Sequence, residues 1–144
     1  MKLIPLRQWT CDSCGEVIEK PEDGWFEWYT ERDTSLDTGF RIVHHRGSCM
    51  YNDQRLEQQN RSPSDCDLSM VVGHNGLALL LNLMERKKFA DMKEFIEVFR
   101  RLHLPYYEEA RLYWNDALRG GFHDGCCFDE NTLLDIIKNY GEDR

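Results

Sequence analysis

Cys11 and Cys14 bracket two residues and precede Gly15, and this knuckle narrows the choice of folds more than any other stretch of the chain. A turn that presents two sulfurs to one ion needs a neighbouring residue free to take unusual backbone angles, and Gly15 supplies it. Downstream, the run His44-His45-Arg46-Gly47-Ser48-Cys49 offers a second ligand pair. His45 and Cys49 are four residues apart, one helical turn, so both side chains can share a face. His44 and Cys49 are five apart, which suits a strand running into a turn. Either choice gives three thiolates and one imidazole. Zn²⁺ favours such a tetrahedral set, with Zn–S near 2.3 Å and Zn–N near 2.0–2.1 Å. Four protein donors leave no open coordination position, the mark of a structural ion. The ligand set read from the spacing is Cys11, Cys14, His45 and Cys49, holding one structural zinc per chain. A ligating imidazole usually donates its other nitrogen to an acceptor, for which Asp12, Glu16 and Asp53 are candidates. The competing reading makes the cysteines small buried hydrophobes and the histidines strand residues.

Between the two ligand pairs the pattern is that of strands. Residues 25–30 (WFEWYT) are rich in aromatics and follow Gly24. Residues 40–44 (FRIVH) alternate, with Phe40, Ile42 and His44 on one side and Arg41 and Val43 on the other. The polar stretch Glu31 to Gly39 joins them, which predicts a hairpin with a long loop. Trp25 and Trp28 are three apart in one strand and so face opposite sides of it. Residues 51–64 are polar and end near Pro63, which predicts a short helix followed by a linker, or a linker throughout.

Taken together, residues 9–59 resemble a treble-clef zinc finger, in which a Cys-x2-Cys knuckle, a hairpin and a second ligand pair at a helix start enclose one ion. The matching residues are Cys11 and Cys14, the Trp25–His44 hairpin, then His45 and Cys49 leading into Met50–Gln59. LIM modules and PARP-type fingers share the general arrangement. LIM modules carry a second metal site close by, and no second full ligand set is found here. PARP-type fingers use a basic face, and this half of the chain is acidic. The resemblance implies zinc and a fold rather than an activity.

Residues 65–144 read as helices. Leu77 to Lys88 is the first. The second runs from Asp91 to His103, where Asp91 and Glu94 make a capping box and Met92, Phe95, Ile96, Phe99 and Leu102 share a face. Pro105 suits the first position of a third helix ending at Gly120-Gly121. A last helix spans Glu130 to Tyr140, with Leu133, Ile136, Ile137 and Tyr140 inward. The fold class is therefore α+β: a small N-terminal zinc-bound β-hairpin module followed by a C-terminal helical bundle of three to four helices. The boundary falls at Pro63, giving 1–63 and 64–144, which pack either separately or as one unit.

Charge bears on partners. The chain of 144 residues carries 18 Lys and Arg against 26 Asp and Glu, net −8. Both halves are acidic, so broad, sequence-independent binding to phosphate backbones is disfavoured. A local patch of Arg41, Arg46, Arg55 and Arg61 around the finger is the one feature that favours nucleic acid. The longest apolar run, Leu77 to Leu81, is far short of the roughly 20 residues that span a bilayer. Pro5 and Arg7 interrupt any apolar segment of a signal peptide. A cytosolic location without a membrane partner is expected, where six cysteines bind metal, pack or react rather than form disulfides.

Other residues carry weaker signals. Cys66 lies between Asp65 and Asp67, whose charges raise a thiol pKa, so packing at a helix entry is expected rather than nucleophilic chemistry. His74 sits in a short Gly-His-Asn-Gly run. His123, Asp124, Cys126 and Cys127 have poor spacing for a knuckle and read as a loop. Tyr107, Glu108, Glu109 and Arg111 line either a small-molecule pocket or a solvated face. Adjacent carboxylates point in different directions on a helix, so Glu108 and Glu109 form no acid–base dyad. No phosphate-cradling glycine loop, nucleophile elbow or His-Glu-x-x-His motif is present. The expected role is a zinc-stabilised, non-enzymatic protein-interaction or regulatory protein whose partner is another protein. The alternatives are a small nucleic-acid-binding regulator and an enzyme with a site near His103, Tyr107 and Glu108.

Overall fold

A computed structural model describes residues 1–122 and 128–141. Two short strands, β1 (Trp9–Thr10) and β2 (Val17–Ile18), pair antiparallel and carry the Cys11–Glu16 turn between them. A 3₁₀ turn at Pro21–Asp23 leads into β3 (Gly24–Glu31), which turns back as β4 (Leu36–His44). Helix α1 (Asp53–Gln58) follows, capped by Asn52, whose side chain accepts from the Arg55 amide. Strand β5 (Arg61–Asp67) then pairs with β3 along its length, giving the order β4-β3-β5.

The rest is helical: α2 (Gly73–Arg86), α3 (Met92–His103), α4 (Tyr107–Arg111), α5 (Trp114–Arg119) and α6 (Glu130–Tyr140). The class is mixed α+β, with hairpins first and helices after. Five helices follow residue 64 among the described residues, more than the three to four expected, because the third segment is broken. Tyr106 has φ +71°, which moves the helix start past Pro105. Leu112 and Tyr113 then donate to carbonyls only three residues back, ending α4 and opening α5.

The hairpin loop is shorter than expected, four residues between Glu31 and Leu36, because β4 begins well before Gly39. The register jumps between Glu27↔Arg41 and Tyr29↔Thr38, so β4 carries one extra residue at Gly39-Phe40. Gly39 has φ +74°, the signature of a glycine bulge. The bulge reverses the alternation of faces. Asp37 before it and Phe40 and Ile42 after it therefore share the face that carries Phe26 and Trp28. That face meets α3: the Phe40 and Phe95 rings lie edge-on at 5.3 Å, and Phe95 stacks on Phe89 at 4.4 Å. Asp37 accepts from Trp28 Nε1 at 3.2 Å and Thr30 Oγ1 at 2.6 Å. Its backbone holds Lys88 and Ala90 beside the strand edge. Asp91 caps α3 as expected, but Glu94 turns to β4 instead of closing a capping box, accepting from the Phe40 amide at 2.8 Å.

Two buried clusters form. The first runs from Trp9 through the sheet and Leu80 to Leu102, and the second gathers Tyr107, Ala110, Tyr113, Ala117, Leu133 and Ile136. Pro63 lies inside β5, and the two buried clusters part between Leu102 and Tyr107. Proline is tolerated there because β5 is an edge strand. No helix among the described residues is long and apolar enough to cross a membrane.

Candidate metal centre

Cys11 leaves β1 as the first residue of the turn, and its carbonyl accepts from the Gly15 amide at 2.9 Å. Gly15 takes φ +79°, the conformation the knuckle requires. Cys14 sits on the outer side of this turn and is exposed, whereas Cys11 and Cys49 are buried. Cys49 lies in a tight turn after β4, its amide donating to the Arg46 carbonyl at 3.0 Å. Helix α1 starts only at Asp53, so Cys49 comes from a turn rather than from a helix start.

The structure brings Cys11, Cys14, His44 and Cys49 together, with all four donor atoms within 4.8 Å of one another. His44 Nδ1 is 3.4 Å from Cys14 Sγ and 4.0 Å from Cys49 Sγ. A tetrahedron with bonds near 2.3 Å has edges of about 3.8 Å, so the cluster is close to the size a zinc ion needs. His45, the histidine favoured from the spacing, is not part of the cluster. It follows the end of β4 and stacks on Trp25, with ring centroids 4.2 Å apart. The reason is strand alternation. Phe40, Ile42 and His44 share one side of β4, and that side faces the core and the knuckle. The helical spacing that favoured His45 does not apply, because residues 44–49 form no helix.

The surroundings suit a cation. His44 Nε2 lies 3.1 Å from the Val17 carbonyl, an acceptor, so Nε2 carries the proton and Nδ1 offers its lone pair to the sulfurs. The acceptor is thus a backbone carbonyl rather than Asp12, Glu16 or Asp53. Burial opposes ionisation of Cys11, but the amides of Cys14, His44 and Ser13 donate to its sulfur and lower its pKa to about 6. For Cys14, the Glu16 amide favours the thiolate, yet desolvation and the sulfurs of Cys11 and Cys49 outweigh it and hold the thiol above its ordinary value. The crowded sulfurs resist ionising together, and a divalent cation removes that conflict.

Asp12 connects the knuckle to the rest of the molecule. Its carboxylate accepts from the Ile42 amide at 2.8 Å and from Arg101 Nη1 at 2.7 Å. Arg101 is 2% exposed and also grips Glu108 through Nε and Nη2, at 2.7 and 2.9 Å. Glu108 accepts in turn from the Thr10 amide and hydroxyl. Burial opposes the guanidinium charge, but Glu108 and then Asp12 outweigh it and raise the Arg101 pKa. Glu108, for which the sequence leaves open a small-molecule pocket or a solvated face, is buried in this ion-pair network, with Arg111 3.9 Å away. Glu109 points elsewhere and accepts from the Leu3 amide at 2.7 Å, so the two carboxylates form no dyad.

The remaining sequence candidates disperse. His103 Nε2 bonds the Val71 carbonyl at 2.9 Å, and the Tyr107 hydroxyl donates to Glu97 at 2.6 Å. A cavity of about 370 Å³ takes in Glu97, Tyr107 and Arg111 but neither His103 nor Glu108. His74 is exposed in the first turn of α2. Cys66 lies in β5 opposite Phe26, not at a helix entry. His123, Asp124, Cys126 and Cys127 lie outside the described residues. Of the four arginines weighed as a patch, Arg41, Arg55 and Arg61 line one pocket and Arg46 does not. Comparison with models of known protein families, with curated proteins and with solved structures finds no match.

Proposed function

We propose that this chain is a zinc-stabilised, non-enzymatic interaction or regulatory protein, built on a treble-clef-like module. The observation that carries the reading is the Cys11, Cys14, His44 and Cys49 cluster, which supplies four donors and so fills a zinc shell without leaving a position for substrate. An ion there ties the knuckle to a segment about 30 positions on, the end of β4 and the Cys49 turn that follows it, beside the first buried cluster. Binding to such a site contributes folding free energy, about 10–16 kcal/mol apparent in finger peptides. The ion is structural in this reading, and function lies on the surface it stabilises.

The surface that supports a protein partner is α2. Leu80 faces inward and is fully buried, while Leu81 and Met84 on the outer face are 50% and 37% exposed. Exposed apolar side chains grouped on one helix face mark interaction sites.

Two measurements test the reading. Elemental mass spectrometry on protein purified without a metal-affinity step is expected to give one zinc per chain. Cys11, Cys14 and Cys49 are then protected from alkylation until chelator is added. Metal-free protein with all thiols reacting at once overturns the structural-zinc part. A photo-crosslinking residue at Asn82, used in the native cell, is expected to trap one discrete protein, and Leu81→Glu to abolish the adduct. An adduct pattern unchanged by Leu81→Glu overturns the choice of α2.

A further inference from the structure

The sheet face opposite α3 holds a second feature, joined to the candidate metal cluster only through Arg41, whose Nη2 donates to the Cys49 carbonyl at 2.9 Å. Its side chains alternate with those of the buried face, so Trp25, Glu27 and Tyr29 from β3 and Arg41 from β4 lie on this side. Tyr51 folds over it. The Tyr51 amide donates to Glu27, and its hydroxyl donates to the Gly39 carbonyl at 2.8 Å. Two guanidinium–ring layers result. Arg41 Cζ lies 3.7 Å from the Tyr51 ring centroid, and Arg61 Cζ lies 4.6 Å from that of Tyr29. The two tyrosines meet edge-on at 5.5 Å.

These layers and α1 enclose a half-open pocket of about 390 Å³. That volume is within the range of small-ligand sites. Arg41, Arg55 and Arg61 all line it, and no carboxylate does, in a chain of net charge −8. Glu27 holds Arg41 at 2.6 Å and Glu31 holds Arg61 at 2.9 Å, which fixes both guanidinium planes. Arg55 is exposed and forms no ion pair among the described residues. Asn52 and Gln59 add side-chain amides, and Met50 and Leu56 an apolar edge.

Each part has a counterpart in one ligand chemistry. A guanidinium without a carboxylate suits a phosphate. Guanidinium planes fixed over tyrosine rings offer a flat, cationic surface on which a heterocyclic base stacks. The side-chain NH2 groups of Asn52 and Gln59, whose oxygens already accept from the Arg55 amide and from Arg61 Nη1, suit the acceptors of a base edge. We propose that the pocket binds a nucleotide unit, its base stacked on the Arg41 and Arg61 layers and its phosphate paired with Arg55. The unit is either a free nucleotide or one residue of a single strand, since both present the same base and phosphate.

Isothermal titration of the zinc-loaded full chain at low salt tests this. The probes are the four ribonucleoside 5′-monophosphates, the matching nucleosides, inorganic phosphate and a single-stranded RNA tetranucleotide. At least one monophosphate or the tetranucleotide is expected to bind with unit stoichiometry. Nucleoside and inorganic phosphate should each bind at least tenfold more weakly. Arg55→Ala should weaken binding at least tenfold with an unchanged circular dichroism spectrum, and Arg86→Ala, at the end of α2, should leave it intact. A tetranucleotide tighter than any monophosphate by tenfold or more identifies a strand as the source; comparable affinities identify a free nucleotide. The proposal is overturned if no nucleotide probe binds in the millimolar range, if inorganic phosphate binds as well as the nucleotides, or if Arg55→Ala changes nothing.

Discussion

Arg101 on α3 donates to Asp12, the residue beside the first knuckle cysteine, across 2.7 Å and 89 positions of sequence. The same guanidinium holds Glu108 on α4 and donates to the Thr10 carbonyl at 3.1 Å. One buried cation therefore joins the knuckle, the start of its hairpin and two helices. The candidate metal cluster and the helical half are connected through this residue.

Breaking the Arg101–Glu108 pair from one side should be costly. Arg101→Met leaves Glu108 buried with only the Thr10 donors and a guanidinium 3.9 Å away on Arg111, and Glu108→Gln leaves the Arg101 guanidinium short of its main counter-charge. Each is expected to lower unfolding free energy, the first by about 3–5 kcal/mol. Urea denaturation at neutral pH measures it. The double variant Arg101→Met, Glu108→Leu should recover part of the loss, since neither ion is then stranded. A single variant as stable as the parent would mean that water reaches the pair.

The two neighbouring histidines should separate cleanly in metal binding. His44→Ala removes the Nδ1 donor and is expected to release the ion or weaken its binding by orders of magnitude, read in a competition assay with a chromogenic chelator. His45→Ala loses only the stack on Trp25 and should keep one ion per chain. Loss of metal from His45→Ala alone would contradict the cluster geometry.

His103 couples stability to pH. Burial lowers its pKa below the ordinary 6.5, outweighing its bond to the Val71 carbonyl. The folded chain thus prefers the neutral ring. Its contribution is complete above the unfolded value and is lost as pH falls through the folded one. Melting temperature is expected to decline from about pH 6.5 downward, and His103→Gln should flatten that part of the curve. An NMR titration placing the His103 midpoint above 6.5 would refute the assignment.

Cys66 should be the unreactive thiol of the described set outside the metal cluster. Burial and then Asp65 and Asp67 push its pKa up to about 11, so little thiolate exists near neutrality. Iodoacetamide labelling followed by peptide mass spectrometry is expected to leave it unmodified in the folded protein. Chelation should let Cys14, already exposed, react before Cys66.

Local rules carried the features set by neighbours in sequence. The Cys11–Cys14 knuckle with Gly15, the Asp91 cap and the last helix at Glu130–Tyr140 all follow from short patterns. The choice of His44 was also within reach, because the alternation that grouped it with Phe40 and Ile42 points it at the core. Helical spacing was the wrong period to apply at a strand end. What the sequence hid depends on partners far along the chain. Strand β5 (RSPSDCD) has no apolar alternation, being an edge strand with no fully buried residue, so only pairing to β3 reveals it. Glu108 reads as a surface charge until Arg101 and Thr10 surround it. The arginine pocket needs three strands and α1 assembled before Arg55 and Arg61 share a wall with Arg41.

Gly39 is the point where the two faces of the sheet meet in one residue, and its replacement tests both. A methyl group added there would lie 2.2 Å from Tyr29 Cε1, and φ +74° is strained for any L side chain. Gly39→Ala must push the Tyr29 ring aside or flatten the bulge. Flattening returns Asp37 and Phe40 to opposite faces, which breaks either the Trp28–Asp37 bond or the packing on Phe95. Moving the ring instead disturbs the Arg61 layer and the Gly39 carbonyl that holds Tyr51. The strained backbone alone costs about 1–3 kcal/mol. Thermal unfolding of Gly39→Ala is therefore expected to show a loss of at least that size, with metal stoichiometry preserved because none of the four donors touches Gly39. Gly15→Ala, where a methyl group meets nothing within 4 Å, should show the strain cost alone. Equal losses in the two variants would mean that the contact with Tyr29 is relieved freely and that the bulge does not set the face.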